Sequence, residues 1–135
     1  MYGFSVSICI LMSVVVAGCG SNDRVAVYPA KAELFFQGEP AEGAFVALRP
    51  LSGVSDETPP AYGEVDDRGV VKFTTYEAFD GVPLGDYALI VTWYEMDDDE
   101  NETERLNGRY LTPELSEIRL TTKTTGNDFG RIDLQ

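Results

Sequence analysis

The densest group of candidate ligand side chains is an acidic run over residues 95–104, which holds seven Asp and Glu in ten positions. Within it, Asp97, Asp99 and Asn101 match the first half of the spacing of an EF-hand calcium loop. The second half does not match, because a glutamate stands where the loop needs glycine and a glycine where it needs the final bidentate glutamate. The run therefore predicts a solvated loop, with a weak and irregular Ca²⁺ site on Asp97, Asp99 and Asn101 as the alternative.

The second candidate for chemistry is Cys19, which follows an apolar run over residues 4–17. This run is too short to span roughly 30 Å of hydrocarbon as a permanent helix, and its length is typical of an export signal. Residues 16–19 (VAGC) resemble the bacterial lipobox, in which the peptide bond before the cysteine is cut and its sulfur carries lipid. We predict a signal peptide over residues 1–18 and palmitate-type membrane anchoring on Cys19. A plain secretory signal or a buried hydrophobic helix is the alternative.

Histidine is absent from the 135 residues, and the net charge is −13. Without histidine the chain lacks the commonest general base and metal ligand, so we expect neither catalysis nor a cofactor. The acidity excludes nucleic acid as a partner, since its phosphates would repel the protein. Paired carboxylates leave a small hydrolase as a less favoured alternative.

The chain after the leader is the size of one domain. Residues 19–28 begin with small and polar side chains and predict a lipidated cysteine with a flexible tether, followed by a β domain over residues 29–135. Alternating apolar residues between Gly, Pro and Asp turns indicate an all-β fold. The predicted strands cover residues 31–37, 43–49, 61–65, 70–75, 86–94, 116–123 and 129–134.

Turn chemistry predicts how some of these strands pair. Gly38-Glu39-Pro40 indicates a hairpin between residues 31–37 and 43–49. Asp66-Asp67-Arg68-Gly69 indicates a second hairpin, in which Gly69 supplies a positive φ. Residues 86–94 are apolar on both alternating sets, which predicts a central strand covered on both faces.

These turns and the segment Val82-Pro83-Leu84-Gly85-Asp86-Tyr87 are similar to those of carboxypeptidase regulatory-like domains, which have a transthyretin-like (prealbumin-like) fold. The stretch from Leu106 to Pro113 resembles an L-x-G-x-Y-x-x-P segment of small lipoproteins from planctomycete-type bacteria. The resemblance implies a Greek-key β-sandwich of about seven strands. It also implies structural roles for Gly85 and Tyr87, the latter as a tyrosine corner or as an ordinary core residue. The proline that precedes the glycine in the family pattern is missing, and so are the histidines of the transthyretin-like hydrolases.

We therefore expect a non-catalytic lipoprotein of the cell envelope, facing outside the cytoplasm. Its β-sandwich would be a structural or interaction module for an envelope protein or a polysaccharide. Cation or ligand binding by the acidic loop is the alternative. Trp93, Tyr94 and Tyr110 would form an aromatic ligand surface if exposed, although such residues more often belong to the core.

Overall fold

The computed structural model describes residues 24–51 and 58–135; the predicted signal peptide, Cys19 and residues 20–23 lie outside these ranges. The described chain folds into twelve β-strands, and no helix in it is long and apolar enough to cross a membrane. The strands are β1 Val27–Tyr28, β2 Ala30–Phe36, β3 Glu39–Pro40, β4 Phe45–Pro50, β5 Ala61–Glu64, β6 Val70–Lys72, β7 Val82–Pro83, β8 Gly85–Thr92, β9 Tyr94–Met96, β10 Glu102–Glu104, β11 Arg119–Thr122 and β12 Asn127–Leu134.

The first of the two four-stranded sheets is antiparallel and has the order β11-β8-β4-β5. Its centre is β8, which pairs with β4 over six positions and with β11 over four. Five consecutive β8 residues, from Tyr87 to Val91, are buried, so both faces of this strand are covered. Residues 86–94 were predicted to form such a strand, and β8 is this central strand, between β11 and β4.

The second sheet is built around β2, which carries β12 on one side and both β3 and β6 on the other. The β12 partner runs parallel to β2 from Asn127 to Leu134, with a register shift between Asp128 and Arg131. Strand β2 alternates buried Ala30, Ala32 and Leu34 with exposed residues, as a strand with one core-facing side should.

One core lies between the two sheets and contains the inward side chains of β2, β4, β6 and β8. Its largest fully buried side chains are Tyr87, Phe73, Leu34, Leu48 and Leu89. The predicted all-β sandwich is therefore confirmed. The seven predicted strands correspond to β2, β4, β5, β6, β8, β11 and β12, and the five further strands are two or three residues long.

The first pairing predicted from the turns is wrong, and the second is reduced to a single bridge. The segments 31–37 and 43–49 do not form a hairpin, because β2 and β4 belong to opposite sheets. The chain turns back only as far as β3 and then crosses over, with Ala41 N–H donating to the Leu34 carbonyl. The 66–69 turn likewise joins β5 to β6 across the two sheets, with one bridge between Tyr62 and Thr74.

The N-terminal boundary also differs from the prediction. Residues 24–28 were assigned to the tether, but β1 pairs with β7 and Arg24 forms an ion pair with Glu77. Residues 24–28 therefore contact the sandwich. Of the predicted tether, residues 19–23 lie outside the described ranges.

The sandwich has two distinct ends along β8, which is roughly 23 Å long at 3.3 Å per residue. At the Gly85 end, β7 pairs with β1, where the chain enters the domain. At the Thr92 end, the chain continues into the β9–β10 hairpin with its acidic run. We call these the entry end (residues 24–31, 72–85 and 122–128) and the acidic end (residues 93–104).

Candidate functional site

Tyr87 lies at the start of β8 and is fully buried. Its hydroxyl donates to the Pro83 carbonyl at 2.7 Å, four residues upstream, which is the geometry of a tyrosine corner. The buried Thr122 hydroxyl donates to the same carbonyl at 2.7 Å and accepts from the Gly85 N–H at 2.9 Å. Burial raises the pKa of Tyr87 to about 12. These contacts are structural.

Gly69 closes the turn between β5 and β6 with φ +87°. A Cβ atom there would lie 2.9 Å from the Phe35 ring and 3.1 Å from the Leu34 carbonyl oxygen. The turn is also held by Asp66, whose carboxylate accepts from the N–H groups of Val70 and Arg68 and whose pKa is thereby lowered. Gly69 therefore serves the fold.

The candidate calcium residues form the turn of the β9–β10 hairpin. The Asp97 carboxylate accepts 2.9 Å hydrogen bonds from the backbone N–H groups of Asp99 and Asn101, and it also accepts from the Asn101 side-chain amide. The hydrogen bonds from Asn101 lower the pKa of Asp97. No group of three or more His, Cys, Asp or Glu side chains able to hold a metal ion occurs in residues 24–51 and 58–135. The Asp-x-Asp-x-Asn spacing thus has a local explanation as an Asx turn.

The three aromatic residues considered as a possible ligand surface differ in their exposure to solvent. Trp93 is 7% exposed, donates from Nε1 to the Glu42 carbonyl, and is covered by the Arg105 guanidinium 3.8 Å above its ring. Tyr110 is 6% exposed, and its hydroxyl accepts from the Gln135 N–H. Only Tyr94 is exposed. Trp93 and Tyr110 therefore belong to the core, which was the favoured interpretation, and the three residues do not share an exposed surface.

The L-x-G-x-Y-x-x-P segment is a tight turn beside Glu104, whose carboxylate accepts from the N–H groups of Leu106 and Gly108. Leu106 and Tyr110 point into the core, and the Tyr110 carbonyl accepts from the Val91 N–H of β8. The motif therefore anchors the long connection between β10 and β11 to the sandwich.

An exposed aromatic pair lies elsewhere, on the outer side of the β11-β8-β4-β5 sheet. Phe45 of β4 and Tyr62 of β5 stack with ring centroids 5.7 Å apart and an angle of 27°, and both rings are more than two-fifths exposed. Ala47 pairs in register with Tyr62 on one side and with Ile90 on the other. We call these four residues the aromatic face. The sequence places Phe45 and Ala47 on one side of β4, but their exposure depends on what covers that side, which no local pattern shows.

The entry end carries a second exposed ring on a tightly held loop. The Asp80 carboxylate accepts backbone hydrogen bonds from Thr75, Tyr76 and Glu77 at 2.8–3.0 Å. Burial alone would raise the pKa of Asp80, but these hydrogen bonds outweigh it and lower the pKa. The next residue, Gly81, has no room for a side chain, because a Cβ atom would collide with the Tyr28 carbonyl. The loop is thus fixed against the incoming chain.

This loop presents Phe79 to solvent with 64% of its surface exposed. Its φ of +59° is in the left-handed region, which costs a bulky residue about 1–2 kcal/mol relative to glycine. The Phe79 N–H donates to the Thr74 hydroxyl, and the Lys72 ammonium lies 5.6 Å from the ring centroid. Phe79, Pro29, Lys31 and Lys72 line one open cleft of about 250 Å³.

A larger open cleft of about 460 Å³ lies beside the C-terminal half of β12. Arg109, Glu117 and Asp133 supply charges of both signs to its lining, together with Leu115 and Ile132. Asp133 is paired with Arg131 at 2.9 Å. No nucleophile and base within hydrogen-bonding distance of each other line this cleft in the described residues.

Comparison with known proteins gives limited similarity. No family model matches the chain, and no curated protein matches it. Among solved structures, a variant of BcpA, the major pilin subunit of Bacillus cereus, is similar over 80% of this chain, with 16% identity and a TM-score of 0.49. A 9R-lipoxygenase from Cyanothece is similar over 80% of the chain, with 17% identity and a TM-score of 0.39. The chain spans 30% and 16% of these two proteins, and neither similarity indicates a function.

Proposed function

We propose that this protein is a non-catalytic lipoprotein of the cell envelope, anchored through Cys19, whose β-sandwich binds a protein partner through the aromatic face. The observation that carries the proposal is the stacked, exposed pair of Phe45 and Tyr62 on an otherwise regular sheet. Membrane anchoring rests on the resemblance of residues 16–19 to the lipobox. The resemblance to small lipoproteins with transthyretin-like domains is consistent with this assignment.

The aromatic face has the properties of an interface centre. Ala47 and Ile90 are buried side by side, and the two large rings stand beside them in solvent. Aromatic side chains that lose water on binding supply most of the affinity in many protein interfaces. The stacked pair contributes about 0.2–1 kcal/mol to the sheet of the monomer. A partner that covers both rings would in addition remove their exposed apolar surface from water.

The charge around the face indicates the chemistry of the partner. Phe45 pairs in register with Glu64 on β5 and with Thr92 on β8, from which the chain continues into the acidic run. Arg49 of β4 and Arg119 of β11 both pair in register with Ala88, so the border is acidic beside Phe45 and basic at the other end of the same face. This face fits a protein that presents an apolar patch with Lys or Arg opposite Phe45 and Asp or Glu opposite Arg49. Such a border would steer association, and binding should weaken as ionic strength rises.

The anchor is tested by fractionation of cells that express the full chain. Cys19→Ser should abolish labelling by a radioactive fatty acid and move the protein from the membrane to the soluble fraction. Its thermal melt should match that of the wild type, because Cys19 precedes the folded domain. Persistence of the variant in the membrane fraction would contradict lipid anchoring.

The binding face is tested by photo-crosslinking in intact envelopes. A benzoylphenylalanine at position 45 or 62 should crosslink one defined protein, whereas the same group at the exposed position 79 should not. Phe45→Ala with Tyr62→Ala should weaken binding of that purified protein by at least about 30-fold, as expected for truncated hot-spot residues. Equal crosslinking from positions 45 and 79 would refute the assignment of the aromatic face. Crosslinks only to polysaccharide would replace the protein partner with a glycan.

A further inference from the structure

The entry end combines an exposed ring, four basic against three acidic side chains in a chain of net charge −13, and the point where the chain leaves toward Cys19. We propose that this end is a membrane-contacting surface, in which Phe79 enters the interfacial region of an anionic bilayer and Lys31 and Lys72 contact lipid phosphates. The lipidated protein would then stand with its acidic end away from the membrane. This inference rests on the lipid anchor proposed above.

The first argument is distance. Arg24 is five residues from Cys19, and an extended chain of five residues spans at most about 18 Å. Arg24 is held at the 74–81 loop, because its guanidinium pairs with Glu77 at 3.3 Å and lies 5.1 Å from the Tyr76 ring centroid. The Val25 N–H also donates to the Tyr76 hydroxyl at 3.0 Å. A lipid on Cys19 therefore keeps this loop beside the bilayer.

The second argument is the shape and polarity of the loop. Phe79 is the most exposed large apolar residue in the described chain, and Val25 on the incoming segment is 40% exposed. The hydrogen bonds to Asp80 hold the backbone of the loop in place, so the loop does not need to be ordered on insertion. Aromatic side chains favour the boundary between headgroups and acyl chains, where an apolar ring can leave water.

The third argument is charge. Lys31 and Lys72 are register partners on β2 and β6 and line the cleft beside Phe79. The third lysine of the chain, Lys123, is in the loop before β12, where its N–H donates to the Asn127 side chain that lines the same cleft. Lys31 has an exposed ion pair with Asp128, whereas no carboxylate among the described residues lies within 4.0 Å of the Lys72 ammonium. Lys72 is therefore the ammonium best placed to contact a phosphate.

The charge elsewhere on the protein favours the same orientation. The seven carboxylates of residues 95–104 follow the opposite end of β8, roughly 23 Å away. This separation exceeds the Debye length of about 8 Å at physiological ionic strength, so these carboxylates barely weaken the attraction of the lysines to an anionic surface. If the acidic end approached the membrane instead, lipid phosphates would repel it.

The test places a reporter at position 79 of the full lipidated chain. Phe79→Trp and the matched control Phe45→Trp are reconstituted in vesicles of phosphatidylcholine and phosphatidylglycerol, with and without brominated acyl chains. The native Trp93, buried near the acidic end, gives the background signal in the wild type. We expect the emission of Trp at 79 to shift to the blue and to be quenched at least about twofold more than that of Trp at 45. Lys72→Glu in the Phe79→Trp chain should reduce this quenching, and so should vesicles of phosphatidylcholine alone.

The outcomes separate the inference from the anchor. If the chain carries lipid and floats with the vesicles but Trp at 79 is not quenched, the membrane-contacting surface is wrong and the anchor stands. If Trp at 45 is quenched as strongly as Trp at 79, the proposed orientation is wrong. Quenching that is the same on zwitterionic vesicles and in the Lys72→Glu chain overturns the attraction of the lysines to anionic headgroups. A chain that carries no lipid and stays in solution overturns the anchor together with the inference.

Discussion

The Pro83 carbonyl accepts two buried hydroxyl groups, from Tyr87 and Thr122. Tyr87→Phe removes one donor and should lower the free energy of unfolding by about 1 kcal/mol, because the other donor remains. In the Thr122→Val background the same change should cost more, because the buried oxygen then has neither hydroxyl. Chemical denaturation measures both effects. Tyr62→Phe, at an exposed hydroxyl, is the control, and an equal loss there would argue against the corner.

The same phenol predicts a pH dependence. Burial raises the pKa of Tyr87 to about 12, above its ordinary value of 10.0. A raised pKa of a phenol means that its contribution to stability is complete below pH 10 and is lost as the pH rises toward the folded value. The free energy of unfolding of the wild type should therefore fall more steeply than that of Tyr87→Phe in alkaline denaturant titrations. Parallel curves would contradict the assignment.

The left-handed backbone of Phe79 predicts that a phenylalanine at this position costs stability. Phe79→Gly should raise the free energy of unfolding by roughly 0.5–1 kcal/mol, because relief of the left-handed backbone exceeds the loss of a weak contact with Lys72. Thermal and urea unfolding measure the change. Ala78→Gly in the same loop is the control and should not stabilise the protein. A loss of stability in Phe79→Gly would show that the ring supports the fold.

At the scale of elements, the 74–81 loop depends on one carboxylate. Asp80→Ala removes the acceptor of three backbone N–H groups and should cost about 1–3 kcal/mol. Because the pKa of Asp80 is lowered in the folded state, its contribution is complete above about pH 4 and is lost as the pH falls through the lower folded value. The free energies of unfolding of the wild type and of Asp80→Ala should therefore converge as the pH is lowered. Glu77→Ala in the same loop removes only the exposed ion pair with Arg24 and should cost less than about 1 kcal/mol.

The β9–β10 hairpin should respond to salt in general and not to calcium in particular. The hydrogen bonds of Asp97 within the turn occupy the oxygens that a cation would need. Ca²⁺ at 1 mM and NaCl of matched ionic strength should therefore change the melting temperature equally. A calcium-specific rise of several degrees, abolished by Asp97→Asn with Asp99→Asn, would make cation binding the leading function.

Alternation of apolar residues was enough to predict seven of the twelve strands but not their partners. In β2, Ala32 and Leu34 face the core, and the period of two is visible in the sequence. The partner of β2 is β12, about a hundred residues later, and no local pattern encodes that pairing. The predicted hairpin with residues 43–49 was wrong because turn residues show only that the chain reverses, not which strand it then meets.

The candidate surfaces were harder to predict than the fold. Trp93, Tyr94 and Tyr110 were considered together because they are aromatic, yet only Tyr94 is exposed. Phe79 was not identified, since a left-handed backbone is signalled by Gly or Asn and not by a bulky ring. In the sequence, Phe45 and Ala47 alternate with Val46 and Leu48, but the pattern does not say which side faces solvent. The exposure of Phe45 results from the small neighbour Ala47 and from the absence of a covering element in the described residues.

At the scale of the whole molecule, the N-terminal segment should be required for full stability. The chain 24–135 should unfold cooperatively, give a β-type circular dichroism spectrum and be more stable than the chain 29–135. The shorter chain loses β1, the Arg24–Glu77 pair and the backbone that packs against Gly81. Equal melting temperatures would show that residues 24–28 are dispensable, and substantial helix in either chain would contradict the fold.

The parallel pairing of β2 and β12 has a mechanical consequence for a protein held at its N-terminal side. Strand β2 starts at the entry end of the sandwich. Strand β12 ends at the other end of the sandwich, where Leu134 pairs with Phe36. A force that pulls the start of β2 away from the finish of β12 is directed along both strands, so it shears the ladder and must break its register pairs nearly together. If the chain is anchored through Cys19 as proposed, we expect the sandwich to bear tension between the anchor and a load at its far side, with the two-residue β1–β7 pair yielding first.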